Sequence, residues 1–391
     1  MANTILTPTA VTRKALKILH QKLNFVGSIN RQYDDSFAKS GAKIGDSLKI
    51  RLPNQYTVRS GATLSTQDTT ETSTTLQVAT QKGVDLNFTS VDLTLNLDDF
   101  SDRILEPAMA VLAANIEYDA INGMFKKIYN SVWNGGSAAT LAKVLAGRKL
   151  LQDSLAPGGQ RTALLDTQAN VDLVDGLKGL FQDSSAIASQ YRDGYMGRTA
   201  GFDFAENTLI PAYTRGGSNT AYLTNGATQT GATLAVDTGA TAPNEGDVIT
   251  IAGVFSVHPE TKVSTGILQQ FVIGAGATTT SFPISPAIVA SGATQNVSNS
   301  AADNSAITFL GTASTAVKTS LLYHKDWATF ATADLVMPQG VDWAAREVYD
   351  GISMRLVRQY DITNDKFPCR LDVLYGYKEL RPQHAVRLHN N

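Results

Sequence analysis

Five histidines, one cysteine and a few paired acids are the residues with which this chain of 391 amino acids could do chemistry. A metal site needs ligands converging at fixed spacing. Yet His20, His258, His324, His384 and His389 are scattered, with no pair four apart and no HExxH arrangement. Cys369 stands alone, so a CxxC redox or metal motif and an internal disulfide are both excluded, and a reducing compartment at synthesis is implied. Gly274-Ala275-Gly276-Ala277-Thr278-Thr279 opens like a dinucleotide loop, but the third glycine is missing and no long helix follows. Neither a GxxxxGK[ST] phosphate loop nor a GxSxG nucleophile elbow occurs. Asp34-Asp35 and Asp98-Asp99 have the make-up of an acid/base or cation pair, although adjacent acids are more commonly solvated turns or helix N-termini. Tyr375 and Tyr377 with Arg381 have the composition of a base-stacking platform, and alternate tyrosines are more commonly a cross-strand packing pair. Nothing converges on catalysis, and no cofactor or metal is expected.

Without a reactive centre, the elements themselves carry the information. The first charged residues are all basic: Arg13, Lys14, Lys17, Lys22 and Arg31 precede the first acid, Asp34. On a helical wheel Val11, Ala15, Leu16, Ile18, Leu19 and Leu23 share one face, with Arg13, Lys14 and Lys17 opposite. That pattern is an amphipathic helix with a cationic back, which suits either a docked surface helix or docking of an acidic or helical partner.

From Asp46 the period changes to two. Leu48, Ile50 and Leu52 alternate with Lys49 and Arg51, and alternation returns at Leu76 and Val78 and at Val84, Leu86 and Phe88. Between these runs lies a polar, Thr-rich stretch from Arg59 to Thr75, so the whole predicts a long β-hairpin. A two-stranded ribbon is marginal alone in water and needs something to lie on. The expectation is that this ribbon and the leading helix become ordered only against sibling molecules. Leu105, Ala108, Leu112, Ile116, Ala120, Met124 and Ile128 then step by three or four, with Pro107 near the start and Asn134-Gly135-Gly136 as the stop. Further helical patterns run from Ala138 to Leu155 and from Gln168 to Leu180, with a short buried strand at Thr162 to Leu165. Helical and mixed patterns resume at Leu321.

Between Gly216 and Val317 the composition shifts sharply. Lys262 is the one basic residue there, against Asp237, Glu245, Asp247, Glu260 and Asp303, while Gly, Ala, Ser and Thr dominate. Short strands such as Val248 to Ile251 and Gln270 to Ile273, punctuated by Gly, Pro and Asn, predict a small all-β module inserted in a host fold. Across the whole chain the net charge is −2, which is unlike a dedicated nucleic-acid binder. Only 17% of residues are charged, so the surface suits packing against other chains. No apolar run approaches the ~18 residues of a membrane helix and no secretory h-region opens the chain, so a soluble, cytosolically made, oligomer-prone protein is expected.

Several segments, in order, resemble the major capsid (coat) proteins of tailed phages similar to the phage P22 coat protein, which have the HK97-like fold. Leu112-Ala113-Ala114-Asn115-Ile116-Glu117 resembles the centre of the family's spine helix. Arg192-Asp193-Gly194 and Ala200-Gly201-Phe202-Asp203 are similar to the approach to its inserted domain, and Glu245 to Val254 to a strand of that domain. The run from Leu322-Tyr323-His324-Lys325-Asp326 to Leu335 resembles the helix after re-entry into the host fold. Tyr360-Asp361-Ile362, Phe367-Pro368, and Tyr375-Gly376-Tyr377 to Arg381-Pro382 resemble the C-terminal strands.

The resemblance implies an α+β, HK97-like capsid fold with an inserted small all-β domain. It implies an N-terminal arm (1–44), an extended hairpin loop (45–91) and a peripheral domain with the spine helix (92–137). An axial domain would follow in two parts (138–215 and 318–391), interrupted by the insertion (216–317). It implies self-assembly into pentamers and hexamers of an icosahedral shell around double-stranded DNA, with a scaffolding protein and a portal as partners. Packaged DNA would lie close by without specific contact, a decoration protein is compatible, and no membrane is involved. The location would be the virion capsid, assembled in the host cytoplasm. Arg13, Lys14 and Lys17 are the candidates for a scaffold- or interior-facing surface. The stretch Thr228 to Asn244 holds only Asp237, so the charged two-fold loop of some relatives is not expected here. The competing reading is an extracellular β-rich adhesin or another non-viral self-assembling binding protein.

Overall fold

The computed structural model describes residues 8–34, 47–59, 61–64, 66–67, 71–88, 104–177, 197–217, 221–349, 351–363 and 366–390. In chain order the first elements are α1 (Pro8–Lys22), α2 (Asn24–Ser28), β1 (Asn30–Asp34), β2 (Ser47–Arg51), β3 (Ser73–Gln77), β4 (Thr80–Phe88) and α3 (Glu106–Met124). Then come β5 (Ser131–Trp133), α4 (Leu141–Asp153), β6 (Arg161–Leu165), α5 (Thr167–Leu177), β7 (Arg198–Thr199), β8 (Phe202–Glu206) and β9 (Ala212–Thr214). The inserted module holds β10 (Leu223–Thr224), β11 (Gly231–Asp237), β12 (Val248–Val257), β13 (Ser264–Ile273), β14 (Ser281–Ile288) and β15 (Ile307–Phe309). Last are β16 (Ala316–His324), β17 (Ala328–Ala333), β18 (Trp343–Tyr349), β19 (Ile352–Arg358), β20 (Phe367–Glu379) and β21 (Ala385–Asn390). The chain divides into two compact units, residues 1–50, 73–120 and 328–378, and residues 51–72, 121–327 and 379–391.

In the first unit a sheet of order β1-β17-β20-β19-β18 carries β4 on β20. The apolar stripe of α1 is consumed within this unit: Val11, Ala15, Leu16 and Leu19 are buried, and the helix packs on β18 and β19. The leading helix is therefore folded onto its own chain, not waiting for a sibling, because β18 and β19 offer an apolar face that matches the stripe. The long helix α3 places Glu117 in the core, where its carboxylate accepts the Phe25 and Val26 amides that open α2. A helix N-terminus with free amides is where a buried carboxylate is best satisfied. On the sheet, Asp372 is fully buried between Arg355 (2.7 Å) and Arg370 (2.8 Å). Burial opposes its charge, but hydrogen bonds from Arg355, Arg370 and Gln81 outweigh that and hold its carboxyl below the usual range.

The hairpin differs from its sequence expectation. β2 and β3 pair as a two-stranded ribbon, but β4 leaves it and pairs with β20 over nine residues, from Phe88↔Phe367 to Thr80↔Tyr375. Alternation shows that a segment is a strand and leaves open which distant strand it joins.

The second unit is built on a sheet of order β5-β21-β16-β6-β8-β7, with β9 also on β16. α4 and α5 cover it, and Val144, Leu151, Leu165, Phe202, Leu322, Val386 and Leu388 form one buried cluster. The Ala138–Leu155 and Gln168–Leu180 patterns are realised as α4 and as α5 through Leu177, and Thr162–Leu165 as β6. The run from Leu322 to Leu335 is a correction: it forms β16 and β17 joined by a short 3-10 turn, not a helix. Leu321, Leu322 and Tyr323 are all buried although they alternate between the two faces of the sheet, and a strand buried on both faces has no alternation to distinguish it from a buried helix.

The module is a closed barrel. Its sheet runs β10-β11-β14-β13-β12-β15, and Thr224 N–H to Ser305 O (3.1 Å) with Ile307 N–H to Tyr222 O (3.0 Å) join the two ends. Closure removes the free edges that a small sheet of uncharged strands would otherwise expose. Tyr222, Leu234, Ile249, Ile251, Phe271 and Phe282 fill the interior.

Candidate functional site

The residues singled out for chemistry are mostly structural. Cys369 is buried, and burial pushes its thiol up to about 12, so it stays protonated and inert. Tyr375 is fully buried, stacks on Phe330 at 5.4 Å between ring centroids and donates its hydroxyl to Asp119 at 2.6 Å. It is a packing residue and no platform for bases. Gly274 to Thr279 forms the turn between β13 and β14. Asp35, Asp98, Asp99 and Arg192 to Gly194 lie outside the described residues. Among the described residues no cluster of His, Cys, Asp and Glu could hold a metal, and no helix is long and apolar enough to cross a membrane.

One hydroxyl–imidazole pair does have the outline of a nucleophile and its base. His389 Nε2 lies 2.9 Å from Ser131 Oγ, and Nδ1 lies 3.1 Å from Thr319 Oγ1. Burial, then the Arg387 cation, holds His389 well below the usual histidine range, so the ring is neutral. All three residues are at most 3% exposed and both ring nitrogens face hydroxyls, so the trio works as internal hydrogen bonding.

Of the basic candidates, Arg13, Lys14 and Lys17 remain on the helix face away from the buried stripe. Arg13 and Lys17 are exposed, with Arg13 3.5 Å from Glu347, while Lys14 is partly buried. The ribbon supplies the other outward-facing feature. Its base is tied by Arg51–Glu71 at 3.0 Å and Leu52 N–H to Thr72 O at 2.9 Å, while Tyr56, Val58 and Leu64 lie exposed on its loop, Val58 at 93%. Exposed apolar side chains on a loop without a core of its own are what a partner surface looks like.

The contacts where the module joins the sheet of β5, β21 and β16 were not foreseen. Its two tethers leave side by side, since β9 pairs with the start of β16 in the register Ala316↔Thr214 and Arg215 N–H reaches Thr315 O at 3.3 Å. Beyond them, Asp247 accepts the Tyr213 hydroxyl at 2.5 Å, the Gly216 amide at 3.1 Å and the Asn244 amide at 2.9 Å. Arg387 of β21 is fully buried, donates from Nη2 to Gly246 O at 2.8 Å and lies over the Tyr213 ring at 5.5 Å. Burial lowers its guanidinium to about 10, with Tyr213 and Asp247 acting the other way. Gln270 of the barrel clamps the host strand β5, accepting from Ser131 N–H at 2.7 Å and donating to Ser131 O at 3.0 Å. Gly311 sits at φ +91° with the Trp133 ring where a Cβ would stand. The signal was present in Ala385-Val386-Arg387-Leu388-His389-Asn390, where Arg387 and His389 alternate with apolar residues and so share one strand face.

The family model described as P22 coat protein, gene protein 5, matches residues 28–389. No curated protein matches the chain by sequence. Among solved structures, that of Mycobacterium phage Che8 is 12% identical, covering 94% of this chain and 90% of its own at a TM-score of 0.48. The mature capsid of bacteriophage PhiM1 is 11% identical, covering 93% of this chain and 86% of its own at 0.45. The CUS-3 coat protein I-domain is 30% identical over 24% of this chain and 98% of its own, at a TM-score of 0.20. The family match spans nearly the whole sequence, and the chain therefore belongs to the P22 coat protein family, as a major capsid protein of a tailed phage.

Proposed function

We propose that copies of this chain tile as pentamers and hexamers into a closed icosahedral shell around double-stranded DNA, without catalysis. Assembly takes place in the host cytoplasm on a scaffolding protein and around a portal. Residues 216–317 form the insertion, 138–215 and 318–391 the axial domain, 92–137 the peripheral domain, 45–91 the extended loop and 1–44 the arm. The observation that carries this reading is the family match over residues 28–389. The exposed Tyr56, Val58 and Leu64 on the ribbon loop support it, since a neighbouring subunit is the surface such a loop needs. Many modest interfaces of this kind add by multivalency, while each single contact stays reversible during assembly.

The basic face of α1, with Arg13, Lys14 and Lys17, is the proposed scaffold- or interior-facing surface. Its support is the helix geometry: the apolar stripe packs on β18 and β19, and Arg13 and Lys17 lie exposed on the opposite side. Electron microscopy and sizing of the chain expressed with its genomic neighbours test the function. Closed shells are expected, and a small fixed oligomer under all assembly conditions would sink the reading.

A further inference from the structure

We infer that β21 is a latch that fixes the orientation of the inserted barrel on the axial body. Three observations converge. First, the barrel and the sheet that carries it have separate apolar cores, and the apolar contact between them, such as Gly311 on the Trp133 ring, has no direction of its own to fix an angle. Second, on one side of the junction the fixing contacts are polar and centre on β21 and its neighbour β5. These are Arg387 of β21 to Gly246 O and Gln270 to both backbone groups of Ser131 in β5, with Tyr213 of β9 to Asp247 beside them. Third, on another side a cavity of ≈ 310 Å³ separates the β12–β13 hairpin from Tyr129, Asp153 and Gln383. Apolar packing does not fill that side.

β21 is also well placed for the task. It lies between β5 and β16 in the sheet, and all six of its residues are buried. Its main chain holds the host through Arg387 N–H to Asn130 O at 2.9 Å, while its Arg387 side chain holds the barrel. The guanidinium Nε and Nη1 have no acceptor among the described residues. A buried cation tolerates this only while Gly246, Asp247 and Tyr213 stay in register, so a displaced barrel would leave a charge in apolar surroundings. The last strand of the chain thereby makes one orientation of the barrel far better than its neighbours.

Native-state hydrogen exchange on the full-length subunit tests this with Arg387→Ala. Amides at the tethers, Arg215 and Ser314, should exchange at least about tenfold faster, while β12 and β13 stay within about threefold of wild type. Gln270→Ala, which removes only the clamp on Ser131, should give the same selective pattern at smaller amplitude and decides the matter if Arg387→Ala does not fold. Leu388→Ala, which opens a void on the opposite face of β21, should speed tethers and axial strands together. Unchanged tether protection, tethers and barrel accelerating in step in the two junction variants, or the selective pattern in Leu388→Ala would each overturn the latch.

Discussion

Acid should loosen the second unit, and His384 gives the effect a size. The ring lies in the short turn Pro382–His384, 6% exposed, edge-on to His324 at 6.1 Å between centroids, with no partner for Nδ1 among the described residues. Burial first, then the cations of Arg381 and His324, lower it from 6.5 to about 4, against a smaller opposing pull from Asp326; Arg161 adds to the lowering. A histidine with a depressed folded value binds fewer protons folded than unfolded between those limits. Its contribution is complete above pH 6.5 and is lost as pH falls towards 4. At pH 5 the linkage integral is about 2 kcal/mol, and roughly 1 kcal/mol after allowing for solvent screening near the surface. Urea unfolding of the monomeric subunit at pH 7.5 and pH 5, followed by tryptophan fluorescence, should show wild type losing roughly 1–2 kcal/mol more than His384→Phe, which keeps a ring and cannot titrate. Parallel losses in the two proteins would refute the assignment.

Three further substitutions probe other links. Asp372→Asn leaves Arg355 and Arg370 without their shared carboxylate, and should destabilise the first unit by about 3 kcal/mol in urea titration. A cost under ~0.5 kcal/mol would show that the triad is not a net stabiliser. Phe271→Ala empties the centre of the barrel and should cost about 3–5 kcal/mol in calorimetry, and an unshifted transition would contradict the packing. Reversing charge at Arg13, Lys14 and Lys17 together should leave subunit stability within about 1 kcal/mol, since the Arg13–Glu347 pair is exposed. The same variant should lower scaffold-dependent shell yield, and normal procapsid yield would remove these residues from the scaffold-facing surface.

Local periodicity carried far in this chain. The stripe Val11 to Leu23 predicts α1 and its buried face, the three-and-four steps from Leu105 predict the spine helix, and the charge-poor stretch from Gly216 brackets the barrel. What stayed hidden depends on long-range partners. β4 reads as a hairpin arm because its pairing with β20 joins Phe88 to Phe367 across most of the chain. β16 reads as helical because Leu321, Leu322 and Tyr323 are buried on both faces of the sheet, which removes the period of two. The docked state of α1 was equally hidden, because an amphipathic stripe says what a helix needs and not which molecule supplies it.

The junction illustrates why a coat subunit would use polar contacts where apolar ones cost less. An apolar seam between the barrel and the sheet that carries it would gain energy in many relative positions, since hydrophobic burial has no direction. Gln270 satisfies both Ser131 backbone groups in one register only, and Asp247 accepts Tyr213, Gly216 and Asn244 in one register only. Shifting the barrel by a residue would strand a buried cation and several buried amides, each at about 1–3 kcal/mol or more. A shell built from identical chains needs each module presented at a set angle, because an angular error repeats at every copy. Directional hydrogen bonds between two distinct apolar cores meet that need.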